Sequence, residues 1–178
     1  MLHGRIMRTT LLFAVLVVTS AFGAIGAIQQ PDEGGKRLSA LLGKWYVEGT
    51  QNNGLKSSSN QDCRWSPHGS FMVCEQITTT AAREIRTLTV YSYDSKSGNY
   101  SYTAVSDSGA KPTYGTLEIK GTVWTFDGSV ENAGKTIQFR TVREFIDATT
   151  SNFQIMRSDD GGKQWQTILE AKMQKVGD

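Results

Sequence analysis

From Lys44 onward, apolar and polar side chains alternate in short runs, the period-2 pattern of strands with one face turned inward. Lys44 to Thr50 sets Trp45 and Val47 on one side, Tyr46 and Glu48 on the other. Ile85 to Tyr93 separates Ile85, Thr87, Thr89, Tyr91 and Tyr93 from Arg86, Leu88 and Val90. Thr136 to Phe145 places Ile137, Phe139 and Phe145 opposite Gln138, Arg140, Val142 and Glu144. In the last run, Gln164 to Met173, Trp165, Thr167, Leu169, Ala171 and Met173 share a face. Shorter runs cover Cys63 to Ser66, Phe71 to Thr78, Tyr100 to Val105, Tyr114 to Ile119, Val123 to Gly128 and Phe153 to Arg157. Tight turns are expected at Pro67-His68-Gly69-Ser70, Asp94 to Asn99, Lys120-Gly121 and Glu131 to Lys135. Gln51 to Asn60 and Ser106 to Pro112 read as longer polar rim loops.

One helical turn precedes this series. Leu38, Leu41 and Leu42 are spaced for one face of Lys36 to Leu42, and Gly43 ends it. Strands in number about ten, joined by short polar turns, predict an all-β chain. Successive hairpins predict an antiparallel meander. Such a meander closes into a barrel or folds into two layers, and closure removes the exposed edges. A barrel is therefore the expected form, over a single domain from 38 to 175.

The first 27 residues are patterned differently. Arg5 and Arg8 precede the apolar run Leu11 to Val18, and small residues follow through Ala24 and Ala27. This is the layout of a secretory signal peptide, and the run is short for a span of about 30 Å of hydrocarbon. Residues 28–37, with Gln29, Gln30, Pro31, Gly34 and Gly35, read as a flexible arm. The expected location is secreted or periplasmic, with no stable membrane span after cleavage. Losing the two leader arginines from 19 basic residues leaves 17, against 17 acidic. A neutral, evenly mixed surface gives no reason to expect nucleic acid binding.

Export permits a disulfide between the two cysteines. A turn over Pro67 to Ser70 sets Ser66 opposite Phe71, Trp65 opposite Met72, Arg64 opposite Val73 and Cys63 opposite Cys74. Opposed cysteines on paired strands lie within bonding range.

Catalytic chemistry finds little support. No serine sits in a Gly-x-Ser-x-Gly elbow. His68, the one histidine beyond the leader, falls in a hairpin turn, and neither haem ligation nor a zinc site has its ligands. No cofactor or metal is expected. Charged strand residues such as Glu144, Arg86, Arg140 and Arg143 are expected mostly on a solvated face. A lumen-facing Arg–Glu pair would mark a site, because a buried charge needs a partner. Ser158-x-Asp160-x-Gly162-x-x-Trp165 fits a side-chain-bonded turn with Trp165 packed beneath. It resembles the Asp-box of sialidase propellers, but it occurs once.

Gly43-Lys44-Trp45, after a helical turn and at the first strand, resembles the Gly-x-Trp signature of lipocalins and the wider calycin group. That resemblance implies a tryptophan closing one barrel end against a basic residue; Trp45 matches the former and Lys172 is the candidate for the latter. Leu-x-Gly-x-Trp-x-x-x-Gly at Leu41 to Gly49, Tyr93-Asp94 before the turn to Tyr100, Gly115 before a strand, and Asp-x-Gly-x-x-Trp before the last strand together look like the secreted bacterial group catalogued as domain of unknown function family 1579. The resemblance covers Leu38 to Met173. It implies a calycin-like barrel with no established activity.

A barrel interior can be filled or can hold a small ligand. Tyr91, Tyr93, Tyr100, Tyr102 and Tyr114, with Arg140, form the candidate ligand-binding set, since a hydroxyl on an apolar ring can orient a bound molecule. Gly43, Trp45 and Trp165 are the candidate structural residues. Three functions follow: a binder of a small apolar or amphipathic molecule, a structural or interaction domain with a filled core and outward residues such as Leu88 and Val90, or a lumenal hydrolase or isomerase.

Overall fold

The computed structural model describes residues 31–178. The expected leader over 1–27 lies outside the described residues, as does the start of the arm. Ten antiparallel strands form one closed barrel. They are β1 (Gly43–Gln51), β2 (Lys56–Trp65), β3 (Phe71–Thr79), β4 (Glu84–Asp94), β5 (Asn99–Ser106), β6 (Thr113–Lys120), β7 (Val123–Asn132), β8 (Lys135–Phe145), β9 (Thr150–Ser158) and β10 (Gln166–Gly177). Each strand pairs with its neighbours in sequence, and β1 closes the ring against β10. The meander and its closure are as the alternation predicts.

The β2–β3 hairpin keeps the expected register. Cys63 faces Cys74, Arg64 faces Val73 and Trp65 faces Met72. Cys63 and Cys74 form a disulfide with Cα atoms 4.0 Å apart. The turn is held by Ser66, whose Oγ accepts from the Ser70 N–H at 3.2 Å.

Three local differences have physical causes. Helix α1 (Glu33–Lys36) starts before the expected Lys36, and a 3-10 turn continues it over Arg37–Leu41. Asp32 caps it by accepting from the Gly35 N–H at 2.7 Å. The arm assigned to 28–37 is thus helical from Glu33. Second, Lys56 to Asn60 is strand, not loop. Its serines look like loop residues because β propensity reflects packing on a half-buried surface; here Ser59 faces a polar interior, its Oγ 2.9 Å from Thr78 Oγ1. Third, the β9–β10 register shifts between Thr167 and Leu169. A bulge breaks strict alternation. Leu169, Ala171 and Met173 pack inward, whereas Trp165 lies outside, its ring 4.7 Å from the Arg140 guanidinium carbon.

Large side chains fill one end of the barrel. Leu38 and Leu41 of the helical segment join Met72, Tyr100, Leu117, Trp124 and Phe126 around the disulfide. Trp45 is 1% exposed, and its indole N–H donates to the Leu41 carbonyl at 2.9 Å. Gly43 turns the corner with φ +93°, and a Cβ there would stand 2.6 Å from the Gly177 carbonyl oxygen. Only glycine accommodates both. The Tyr93 ring lies flat on Gly34, and the Tyr100 hydroxyl donates to the Gly34 carbonyl at 2.8 Å. The plug expected from Leu41–Gly49 is present, and the helix is tied into it.

Candidate functional site

Toward the other end, inward positions carry small residues: Gly49, Ser57, Ser59, Thr89 and Thr141. They leave a lumenal cavity of about 640 Å³. In an up-and-down barrel alternate connections share an end, so the cavity opens beneath the loops around 52–55, 80–83 and 107–112. One side is apolar, from Val47, Phe126, Phe153, Ile155, Leu169 and Met173. Ser59, Gln61, Gln76, Thr78 and Thr89 make the other polar, while Thr141 sits among the apolar residues between Phe126 and Ile155. Gln51, Asn52, Thr80 and Arg157 stand nearer the mouth. Two open concavities, of about 910 and 710 Å³, lie on the outer faces. Ile77, Leu88 and Val105 form an outward apolar stripe beside the second.

Among the described residues, two arginines and no carboxylate line the lumen. Arg157 is neutralised by Asp159, with its Nη2 2.8 Å from Oδ1. Arg143 is not neutralised. It reaches inward from β8, is 4% exposed, and lies against two rings, 4.7 Å from the centroid of Trp45 and 4.3 Å from that of Phe145. Its Nε donates to Ser151 Oγ at 2.9 Å, while the buried Nη2 has no hydrogen-bond partner among the described residues. Burial pushes the Arg143 guanidinium down to about 10, partly offset by the nearby Tyr91 hydroxyl. Burial in turn pushes Tyr91 up to about 12, with Arg143 pulling back. At neutral pH the cavity floor therefore holds a cation and a neutral phenol, both hydrogen-bond donors.

The candidate residues divide. Tyr91 and Tyr102 line the cavity. Tyr93 and Tyr100 pack together at the plugged end, their ring centroids 4.7 Å apart. Tyr114 is 64% exposed on the outside. Arg140 also faces outward, where its Nε and Nη2 grip Asp127 at 2.6 and 3.0 Å; neither residue belongs to the lumen. Burial raises the Tyr102 hydroxyl, with Tyr91 and Asp127 adding to the rise. Its ring covers Gly115 and Gly128, where side chains would collide with it. Lys172 is exposed and opposite Glu48, so the basic partner of Trp45 is Arg143. Alternation carries the signal for that residue: Arg143 stands two positions before the inward Phe145. His68 is exposed in a turn at the plugged end. The Ser158–Gln164 turn is built as read, with Ser158 Oγ accepting from the Gly162 N–H at 2.9 Å and Asp160 Oδ1 from those of Lys163 and Gln164, both at 3.0 Å. Among the described residues no cluster of three or more His, Cys, Asp or Glu could hold a metal, and no helix is long and apolar enough to cross a membrane.

The family described as "Protein of unknown function (DUF1579)" matches residues 30–175. No curated protein matches the chain. Among solved structures, the chain is similar to the S-type phycobiliprotein lyase CPES from Guillardia theta, at 10% identity over 80% of this chain and 92% of that one, with a TM-score of 0.49. It is also similar to a redesigned β-barrel, at 16% identity over 77% and 92%, TM-score 0.38, and to a barrel bound to DFHBI, at 15% over 79% and 98%, TM-score 0.40.

Proposed function

This chain belongs to the DUF1579 family, and we propose that it is an exported binding protein that holds a small apolar or amphipathic molecule in its lumen. The observation that carries this reading is the cavity of about 640 Å³, plugged at one end and open at the other. Ligand pockets typically enclose roughly 300–1,000 Å³ with mostly apolar walls and a few placed polar groups. A barrel evolved only as a scaffold gains stability from filling its interior, since interiors otherwise pack densely. Small residues at Gly49, Ser57, Ser59, Thr89 and Thr141 forgo that gain. Export is supported by the Cys63–Cys74 disulfide, which persists in oxidising compartments.

Native mass spectrometry of protein secreted by its own host tests the reading. A small-molecule adduct on the parent, absent from a Thr141→Trp variant that fills the cavity, is the expected outcome. Equal adduct on both, or none on either, refutes it.

The outward stripe of Ile77, Leu88 and Val105, each between 38% and 43% exposed, favours a second reading as an interaction domain. In that case Leu88→Lys would abolish partner capture and Thr141→Trp would leave it intact.

A further inference from the structure

We infer that Arg143 forms an anion subsite at the cavity floor and that the lumenal ligand is an amphipathic monocarboxylate whose head group sits there. This inference rests on the lumenal reading above and deepens it.

Trp45 and Phe145, whose own rings meet edge to face, both contact the guanidinium, but an aromatic ring is only a weak acceptor for its N–H groups. Ser151 takes one of those. Nη2 remains buried and unpaired, and a buried donor without an acceptor is costly. A cation kept only to close the barrel would be better replaced by an apolar side chain of similar length. What the guanidinium lacks is an acceptor, and a carboxylate supplies one with charge and planar geometry.

The rest of the wall narrows the class. Arg157 is compensated by Asp159, so the lumen offers one uncompensated positive charge, which matches a monoanion rather than a phosphate dianion. Tyr91 lines the same cavity as Arg143, and its hydroxyl can donate a second hydrogen bond. Above them, Val47, Phe153, Ile155, Leu169 and Met173 provide an apolar channel toward the mouth. A head-down alkyl or isoprenoid carboxylate fits both halves.

Calorimetric titration of the whole secreted chain with decanoate, decan-1-ol and decylammonium separates head group from tail. Decanoate is expected to bind about tenfold or more tightly than decan-1-ol, the preference a charge-assisted hydrogen bond gives, with decylammonium weakest. Arg143→Met should bring decanoate and decan-1-ol within about twofold, and Arg143→Lys should restore part of the gap. Titration of carboxyl-labelled decanoate by NMR needs no variant: the bound head group should stay ionised well below the pH at which the free acid protonates. Equal affinity for acid and alcohol in the parent, an acid preference unchanged by Arg143→Met, or a bound carboxyl titrating like the free acid would overturn the anion subsite. In each of those cases the lumenal reading survives. Failure of all three probes to bind would remove both.

Discussion

At the scale of single residues, Trp45 and Arg143 share one contact and have opposite energetic signs. Trp45 is buried on every side and hydrogen-bonded through its ring nitrogen. Trp45→Ala should cost about 3–5 kcal/mol in denaturant unfolding, as core aromatic truncations do; a loss below about 1 kcal/mol would remove it from the plug. Arg143 carries a desolvated charge with one hydrogen bond and no carboxylate. Its ring contacts offset part of the desolvation cost, and burial still lowers its pKa. Arg143→Met should leave the unliganded protein at least as stable, with a gain of up to roughly 2 kcal/mol. The difference is pH-dependent. The folded pKa lies near 10, below the ordinary guanidinium range, so the charged form is disfavoured on folding. The parent's deficit is therefore full below about pH 10 and fades as pH climbs toward that ordinary range. Tyr91, raised from 10.0 to about 12, works the other way and loses stability over its own range, and it loses more in the variant, where Arg143 no longer pulls its pKa back. Thermal melts of the pair across alkaline pH should converge. A variant less stable than the parent at neutral pH would make Arg143 a structural cation.

At the scale of elements, the strands were legible because their inward faces are regular. The Cys63–Cys74 register, Trp45 and Val47 inside β1, and Tyr91 inside β4 all follow from counting by twos. The charge of Arg143 points to a solvated face; the residue is in phase with the inward Phe145, but no local pattern reveals that a cation has been buried. The bulge in β10 could not be read either, because it adds a residue without changing composition, and Trp165 therefore emerged on the outside. Lys56–Asn60 looked like loop because its inward residues line a polar cavity. Pairing also explains two glycines. Tyr102 lies over Gly115 and Gly128, which gives the sheet close packing without side chains. Gly128→Ala drives a Cβ into the Tyr102 hydroxyl and should cost roughly 1–3 kcal/mol. Tyr102→Phe should relieve part of that cost. Gly115→Ala meets the Asp127 carbonyl as well, so the same substitution should not relieve it. A double-mutant cycle reads both. The disulfide joins adjacent strands across 11 positions. Its removal by Cys63→Ser with Cys74→Ser should cost about 2–4 kcal/mol, read as a lower Tm that reductant no longer affects.

For the whole molecule, the closed meander was legible from about ten alternating runs with short turns. The division of its interior was not. Whether a barrel is filled depends on side-chain volumes summed across strands distant in sequence, and Ser59, Thr89 and Thr141, on β2, β4 and β8, bound one cavity only after closure. The resulting body has a packed floor tied to a helix and an open half lined by small and polar residues. That asymmetry is what a container requires, and it also predicts where a ligand will be felt. The most direct test is an NMR titration of the labelled protein with decanoate, following each backbone amide and side-chain methyl. Saturable shifts concentrated on Val47, Thr89, Thr141, Phe153 and Met173, with the outer Ile77, Leu88 and Val105 unmoved, are the predicted result. Shifts confined to that outer stripe, or none anywhere, would contradict a lumenal binding protein.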